Sequence, residues 1–249
     1  MAWKAVETIP IRIHGRISPE RAHAVREALL PRVFPIVRII DGRAEPLATA
    51  SLVADGETHA LLTAAHAFDS ATVGDLAVPL PNDGTWAFLR STRCRVFVHP
   101  ERDIALVTLD DAAFVRRLRA HWKAVPVAHL HAQPEVDRSA ALYVLAGYPA
   151  SQSRRVDGAI YMKPVVVFTG ALDDGRLSYA RTAERVDGLA IHTPALDGVS
   201  GALVWAVQDE ACGVECLLRA ASVQVAFAHS QHVRTEPLAP ARLLLERLR

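Results

Sequence analysis

Short runs rich in valine, isoleucine and leucine, separated by Asp-Gly turns, set the limits on what this chain can fold into. The first series reads VFPIVRII, then Asp41-Gly42; ATASLVA, then Asp55-Gly56; HALLTAA; and TWAFL after Asn82-Asp83-Gly84. Asp-Gly favours the positive-φ turns that reverse a strand tightly, and runs of this length suit strands better than core helices. With RCRVFV and DIALVTL they make about six antiparallel strands, enough for one small barrel. A second series follows: PVAHL, AALYVLAGY, YMKPVVVFTG, LSYARTA, LAIHT, GALVWAV, VECLLRA and VQVAFAH. It suits a second barrel.

Helical signals are few and sit outside these series. Ser18-Pro19-Glu20 reads as an N-cap with proline at the first helical position, and Ala22, Val25, Ala28 and Leu29 follow at helical spacing until Pro31 ends the run. A helical or linker stretch is expected near residues 111 to 123. In the tail, most leucines among 238, 243, 244, 245 and 248 share one helical face after Pro240, which reads as packing. The division that results is an N-terminal extension over 1–32, β units over 33–118 and 119–235, and a terminal helix over 236–249. No Gly/Ser-rich linker separates the β units, so they should pack tightly.

Composition narrows the functions open to such a chain. Of 249 residues 51% are hydrophobic and 22% charged, enough to bury a core and unlike a disordered chain. Its 28 basic and 27 acidic residues leave a net charge of +1, so no global field attracts nucleic acid or an anionic membrane. No apolar run approaches the roughly 18 to 20 residues that span a bilayer, and the start has no stretch of signal-peptide type, so a cytoplasmic location is expected. The three cysteines, Cys94, Cys212 and Cys216, are a poor basis for a disulfide framework and suit a reducing compartment. A zinc site at Cys212 and Cys216 would need histidines from elsewhere, so free buried thiols are expected, with no metal and no cofactor.

Three segments carry chemistry together: Leu61-Leu62-Thr63-Ala64-Ala65-His66, Asp103-Ile104-Ala105-Leu106-Val107 and Gly198-Val199-Ser200-Gly201. Serine hydrolysis needs a base for the hydroxyl proton, a buried carboxylate to hold the base's tautomer, and N–H donors for the oxyanion. His66 closes an apolar strand after small residues that let the turn pack closely. Asp103 stands at the entrance of a buried strand. Ser200 lies between Gly198 and Gly201, in a turn able to aim the N–H groups of Gly198 and Ser200 at one point. A nucleophile elbow of the α/β-hydrolase kind would need a glycine at Ala202 and the order Ser, acid, His, and neither holds.

TAAH, DIALV and G-x-S-G in this order resemble the chymotrypsin-like (trypsin-like) serine peptidases. The resemblance implies an all-β fold of two orthogonal antiparallel six-stranded barrels with a C-terminal helix over residues 33 to 249. It makes His66 the general base, Asp103 its orienting carboxylate, Ser200 the nucleophile, and the Gly198 and Ser200 N–H groups the oxyanion hole. Leu145-Ala146-Gly147-Tyr148-Pro149 is similar to a strand end of compact bacterial members. Ala67 stands where secreted relatives carry a cysteine, and Val199 replaces the aspartate that pairs with a newly cut N-terminus in zymogen-activated relatives. Ala202 and Leu203 replace the glycine and proline usual after the nucleophile.

The acid that selects basic substrates in that family is Pro194 here, so a preference for Lys or Arg at P1, the residue on the acyl side of the cut, is not implied. The pocket wall is expected in the strand Glu215 to Ala221, with Leu218, Arg219 and Ala220 beside Pro194. The partners expected are a protein or peptide substrate and a regulatory protein, with the N-terminal 30 residues as the docking surface if they do more than cap the first barrel. The competing reading is a trypsin-fold scaffold or binding module, silent or gated by a partner.

Overall fold

The computed structural model describes residues 3–5, 8–41, 43–69, 72–81, 83–130, 142–157, 159–172, 176–207, 218–228 and 231–246. The 13-residue strand Arg43–Asp55 organises the first half, because its length lets it serve two partners in succession. It pairs antiparallel with Phe34–Ile40 along its beginning and with Thr58–Thr63 along its end, and Val125–Pro126 joins it in parallel. A register shift at Ile36/Val37 bends the first pairing. The full path runs Thr85–Phe88, Leu76–Leu80, Phe34–Ile40, Arg43–Asp55, Thr58–Thr63, Ala105–Thr108, Val96–Val98, and Val125–Pro126 makes the eighth strand.

A nine-stranded sheet forms the second half, in the order Leu177–Ser178, His232–Pro237, Leu218–Ala228, Leu203–Val207, Leu142–Gly147, Val165–Thr169, Ile11–Arg12, Thr182–Arg185, Ala190–His192. A small third sheet joins Trp3–Ala5, Ala159–Met162 and Ser153–Val156. The protein is thus all-β, with three α-helices among the described residues: Pro19–Leu29, Ala112–Arg119 and Ala239–Glu246. Each starts where its sequence signals place it. Ser18 Oγ accepts from the Arg21 N–H at 3.2 Å, and Asp111 caps the second helix through the N–H groups of Ala113 and Phe114. None of these helices is long and apolar enough to cross a membrane.

Several expectations need correction. The large sheets hold eight and nine strands rather than six each, and neither hydrogen-bonded path closes on itself among the described residues. Leu76–Leu80 and His232–Pro237 are strands that the sequence reading passed over, and VECLLRA and VQVAFAH, read as two strands, contribute to one continuous strand, Leu218–Ala228. Cys212 and Cys216 lie outside the described residues. Cys94 is a free, half-buried thiol whose pKa burial raises.

Residues 1–32 are not an appendage. Ile11–Arg12 is a strand of the nine-stranded sheet, parallel to Val165–Thr169 and antiparallel to Thr182–Arg185. Helix Pro19–Leu29 buries Ala22, Val25 and Leu29 in the main core, together with the first sheet and one face of the second. The C-terminal helix adds Ala241, Leu244 and Leu245 to the same core. The other face of the second sheet holds a smaller core that includes Tyr143, Leu145, Val167, Tyr179, Leu196 and Val199.

Leu29 is only 1% exposed, so Leu29→Ala should destabilise the protein by about 2–5 kcal/mol in urea denaturation. His23→Ala, on the exposed side of the same helix, should stay within about 0.5 kcal/mol.

Candidate active site

Strands Thr58–Thr63 and Ala105–Thr108 pair antiparallel with Thr63 opposite Ala105, so residues just after the one and just before the other emerge at the same sheet end. His66 is carried out in the short 3-10 turn Ala65–Phe68, closed by Asp69 N–H to His66 C=O at 3.1 Å. Asp103 stands in the turn held by His99 N–H to Ile104 C=O at 2.9 Å. Both carboxylate oxygens of Asp103 serve His66: Oδ1 accepts the backbone N–H at 2.9 Å, and Oδ2 accepts Nδ1–H at 2.7 Å. A carboxylate only accepts, so Nδ1 carries a proton, and in a neutral imidazole the lone pair is on Nε2. The His66 side chain is 42% exposed and that of Asp103 21%, so the imidazole is reachable while its partner is more shielded.

Ser200 arrives from the other sheet, in the loop between Ala190–His192 and Leu203–Val207. The turn is anchored on both sides. Gly201 N–H donates to Gln224 C=O at 2.7 Å, Ala150 N–H to Asp197 C=O at 2.7 Å, and Thr49 N–H to Ser200 C=O at 2.9 Å. Thr49 Oγ1 donates to Gly198 C=O at 2.9 Å and accepts the Tyr148 N–H at 3.1 Å. Gly201 takes φ +94°, and a Cβ there would overlap Thr49 O and Thr63 Oγ1 and stand 2.8 Å from Ala64 N. The serine turn therefore packs directly on the segment that leads into His66.

Gly198 takes φ +87°, a conformation other residues adopt at a cost in strain. Among the described residues, neither its N–H nor that of Ser200 has an acceptor, so both donors stay free beside the hydroxyl. Ser200 Oγ donates to Val225 C=O at 3.4 Å, a long, weak bond, and His66 Nε2 has no hydrogen-bond partner among the described residues. Val199 is fully buried in the smaller core with Leu196, so burial of apolar side chains holds the loop.

The expected pocket residues are not gathered here. Leu218 and Ala220 are buried in the main core and Arg219 is exposed, roughly 17 to 23 Å along the strand from Val225 at about 3.3 Å per residue. Leu218–Ala228 is one continuous strand, and the residues of it that bond the Ser200 turn are Gln224 and Val225. Pro194 does border the serine loop. Its carbonyl accepts from Tyr179 Oη at 2.5 Å, and burial raises the Tyr179 pKa to about 12. Thr49 and Gln224 were missed, although each leaves a trace as a polar residue inside an otherwise apolar strand run. No group of three or more His, Cys, Asp or Glu among the described residues is placed to hold a metal ion.

No protein family's sequence profile matches the chain, and no curated protein sequence does. Solved structures similar to it include the VesB protease of Vibrio cholerae, 13% identical over 89% of this chain and 65% of that one, with a TM-score of 0.48. This chain thus spans less than two thirds of the VesB chain. The NSP4 proteinase of equine arteritis virus is 14% identical over 84% of this chain and 73% of its own, with a TM-score of 0.37. A chain from work on the intrinsically disordered VPg protein of Sesbania mosaic virus is 17% identical over 84% and 93%, with a TM-score of 0.47.

Gly201→Ala should destabilise the fold by roughly 3 kcal/mol or more, since it combines overpacking with a strained φ, and chemical denaturation measures it. Tyr179 has a folded-state pKa above its unfolded value, so its contribution is fully present below about pH 10 and is lost as pH rises toward about 12. Alkaline melting curves should show this loss, and Tyr179→Phe should remove that component.

Proposed function

We propose that this chain is a serine endopeptidase of the chymotrypsin type, hydrolysing protein or peptide substrates through an acyl-enzyme on Ser200. The observation that carries the reading is the double engagement of Asp103 by His66, at the sheet end where the Ser200 turn docks. In this reading the two large sheets are the open halves of a double-β fold, each completed by a strand from outside the expected 33–118 and 119–235 division, and the cleft lies at their seam.

Nε2 of His66 takes the proton as Ser200 Oγ attacks the scissile carbonyl carbon. The oxyanion is bound by the N–H groups of Gly198 and Ser200. Asp103 stabilises the imidazolium, which then protonates the departing amine, and water repeats the sequence to release the acid. Because Val199 secures the serine loop by apolar burial, the site needs no newly cut amino terminus. We place the enzyme in the cytoplasm, where narrow specificity would protect other proteins.

One observation favours a partner-gated variant of this reading: the Ser200 hydroxyl faces Val225 C=O rather than His66. Catalytic hydrogen bonds commonly tighten only in the substrate complex, so the ungated enzyme accommodates the same contact.

A fluorophosphonate probe should label the wild type and fail on Ser200→Ala. A folded protein that stays unlabelled alone and becomes labelled with a bound partner would establish gating. Asp103→Asn should lower kcat by about 10⁴-fold, as neutralising the triad carboxylate does in the chymotrypsin template. The rate constant kcat/KM should fall on acidification, since a protonated imidazole has no lone pair to accept the hydroxyl proton. A flat profile from mildly acidic to mildly basic pH would contradict the role given to His66.

A further inference from the structure

Gln224 is fully buried, and neither its amide nitrogen nor its amide oxygen has a hydrogen-bond partner. Ser222 Oγ, two residues earlier, is also buried and unpaired. Register fixes where they face. Ser222 stands opposite Val204 and Gln224 opposite Thr235, which shares its face with Val233. Val204 and Val233 belong to the smaller core, with Tyr179, Leu196 and Val199. The carboxamide of Gln224 therefore lies on the side of the sheet where the serine loop buries its apolar residues.

Leaving a buried amide unpaired is unfavourable at both atoms, and a methionine of similar size would avoid the penalty. The backbone of Gln224 explains its place but not its side chain. Its C=O holds Gly201 N–H at 2.7 Å, its N–H donates to Ala202 C=O at 2.8 Å, and the next carbonyl, that of Val225, receives Ser200 Oγ. On the peptidase reading, a substrate acylating Ser200 is bonded to a hydroxyl that reaches this strand.

We propose that Gln224 selects the substrate by pairing with a primary carboxamide at P1, so that the enzyme cuts after glutamine or asparagine. The inference rests on the peptidase reading and extends it. One carboxamide donates to the Gln224 oxygen and accepts from its nitrogen at once, satisfying both atoms. A carboxylate has no proton for the oxygen. An ammonium or guanidinium group has no acceptor for the N–H. Either charge would also be desolvated against the apolar residues of this core. Ser222 Oγ offers a third hydrogen bond on the same face. Entry requires Phe227 to shift: it packs edge-on to Tyr179 at 6.3 Å and is the one aromatic of this core that reaches solvent among the described residues.

The test is cleavage of peptide sets that differ only at P1, by wild type and by Gln224→Met, with fluorophosphonate labelling of wild-type Ser200 alongside. Wild type should prefer P1 Gln or Asn over the near-isosteric Met or Leu by about 10- to 100-fold in kcat/KM, and Gln224→Met should lose or reverse that preference. The wild-type comparison stands by itself if the variant does not fold. A labelled, active wild type that shows no preference for a carboxamide overturns the inference and leaves the peptidase reading intact. So does an unchanged P1 profile in Gln224→Met. A folded wild type that neither labels nor cleaves any peptide, alone or with a bound partner, removes both.

Discussion

Thr49 is the fastening on which the site depends. It is fully buried in the strand Arg43–Asp55 of the first sheet, and both its backbone groups and its hydroxyl reach beyond that strand. Its N–H holds the Ser200 carbonyl, its hydroxyl links the Gly198 carbonyl to the Tyr148 N–H, and its own carbonyl accepts from Thr63 Oγ1 at 2.8 Å. Thr63 lies three residues before His66, and Tyr148 follows the strand Leu142–Gly147 of the second sheet. One residue thus connects the histidine's strand, the serine's loop and the neighbouring sheet. Buried polar groups of this kind stabilise only when every member is satisfied, and Thr49 meets that condition.

Around this fastening the two sheets contribute different parts. The first supplies His66 and Asp103 as an already assembled pair, since strand pairing alone brings them to one end. The second supplies Ser200 and the two free N–H donors, in a loop whose conformation is set by buried Leu196 and Val199 and by the glycines at 198 and 201. An ion pair from Arg102 to Glu236, at 3.3 Å, adds a contact between the Asp103 turn and the strand His232–Pro237. Arg102 is half-exposed, so solvent screens that pair and its share of the stability is small. Thr49 and the apolar burial carry the junction.

Much of this was legible in local sequence where local chemistry decides the structure. Asp-Gly turns marked strand ends, Ser18-Pro19 marked a helix start, and glycines on both sides of Ser200 marked a turn that needs positive φ. Reading failed where long-range packing overrides local pattern. His232–Pro237 is polar and ends in proline, yet it pairs along much of Leu218–Ala228. That longer strand keeps its continuity through register shifts opposite Val204/Trp205 and at Gln224/Ala226, which no local pattern displays. Leu218, Arg219 and Ala220 lie nearer its start than Gln224 and Val225, which bond the serine turn. The N-terminal strand Ile11–Arg12 is only two residues long, too short for periodicity to reveal.

By itself, then, the sequence determined an all-β chain with a histidine, an aspartate and a serine in settings suited to hydrolysis, because turn chemistry and strand alternation act between near neighbours. Only the tertiary structure decided that Asp103 engages His66 through both oxygens, that Thr49 clamps the serine turn, and that an unpaired Gln224 lies beneath it. Those relations join residues far apart in the chain. Register and sheet packing fix them, and one sequence read alone does not contain either.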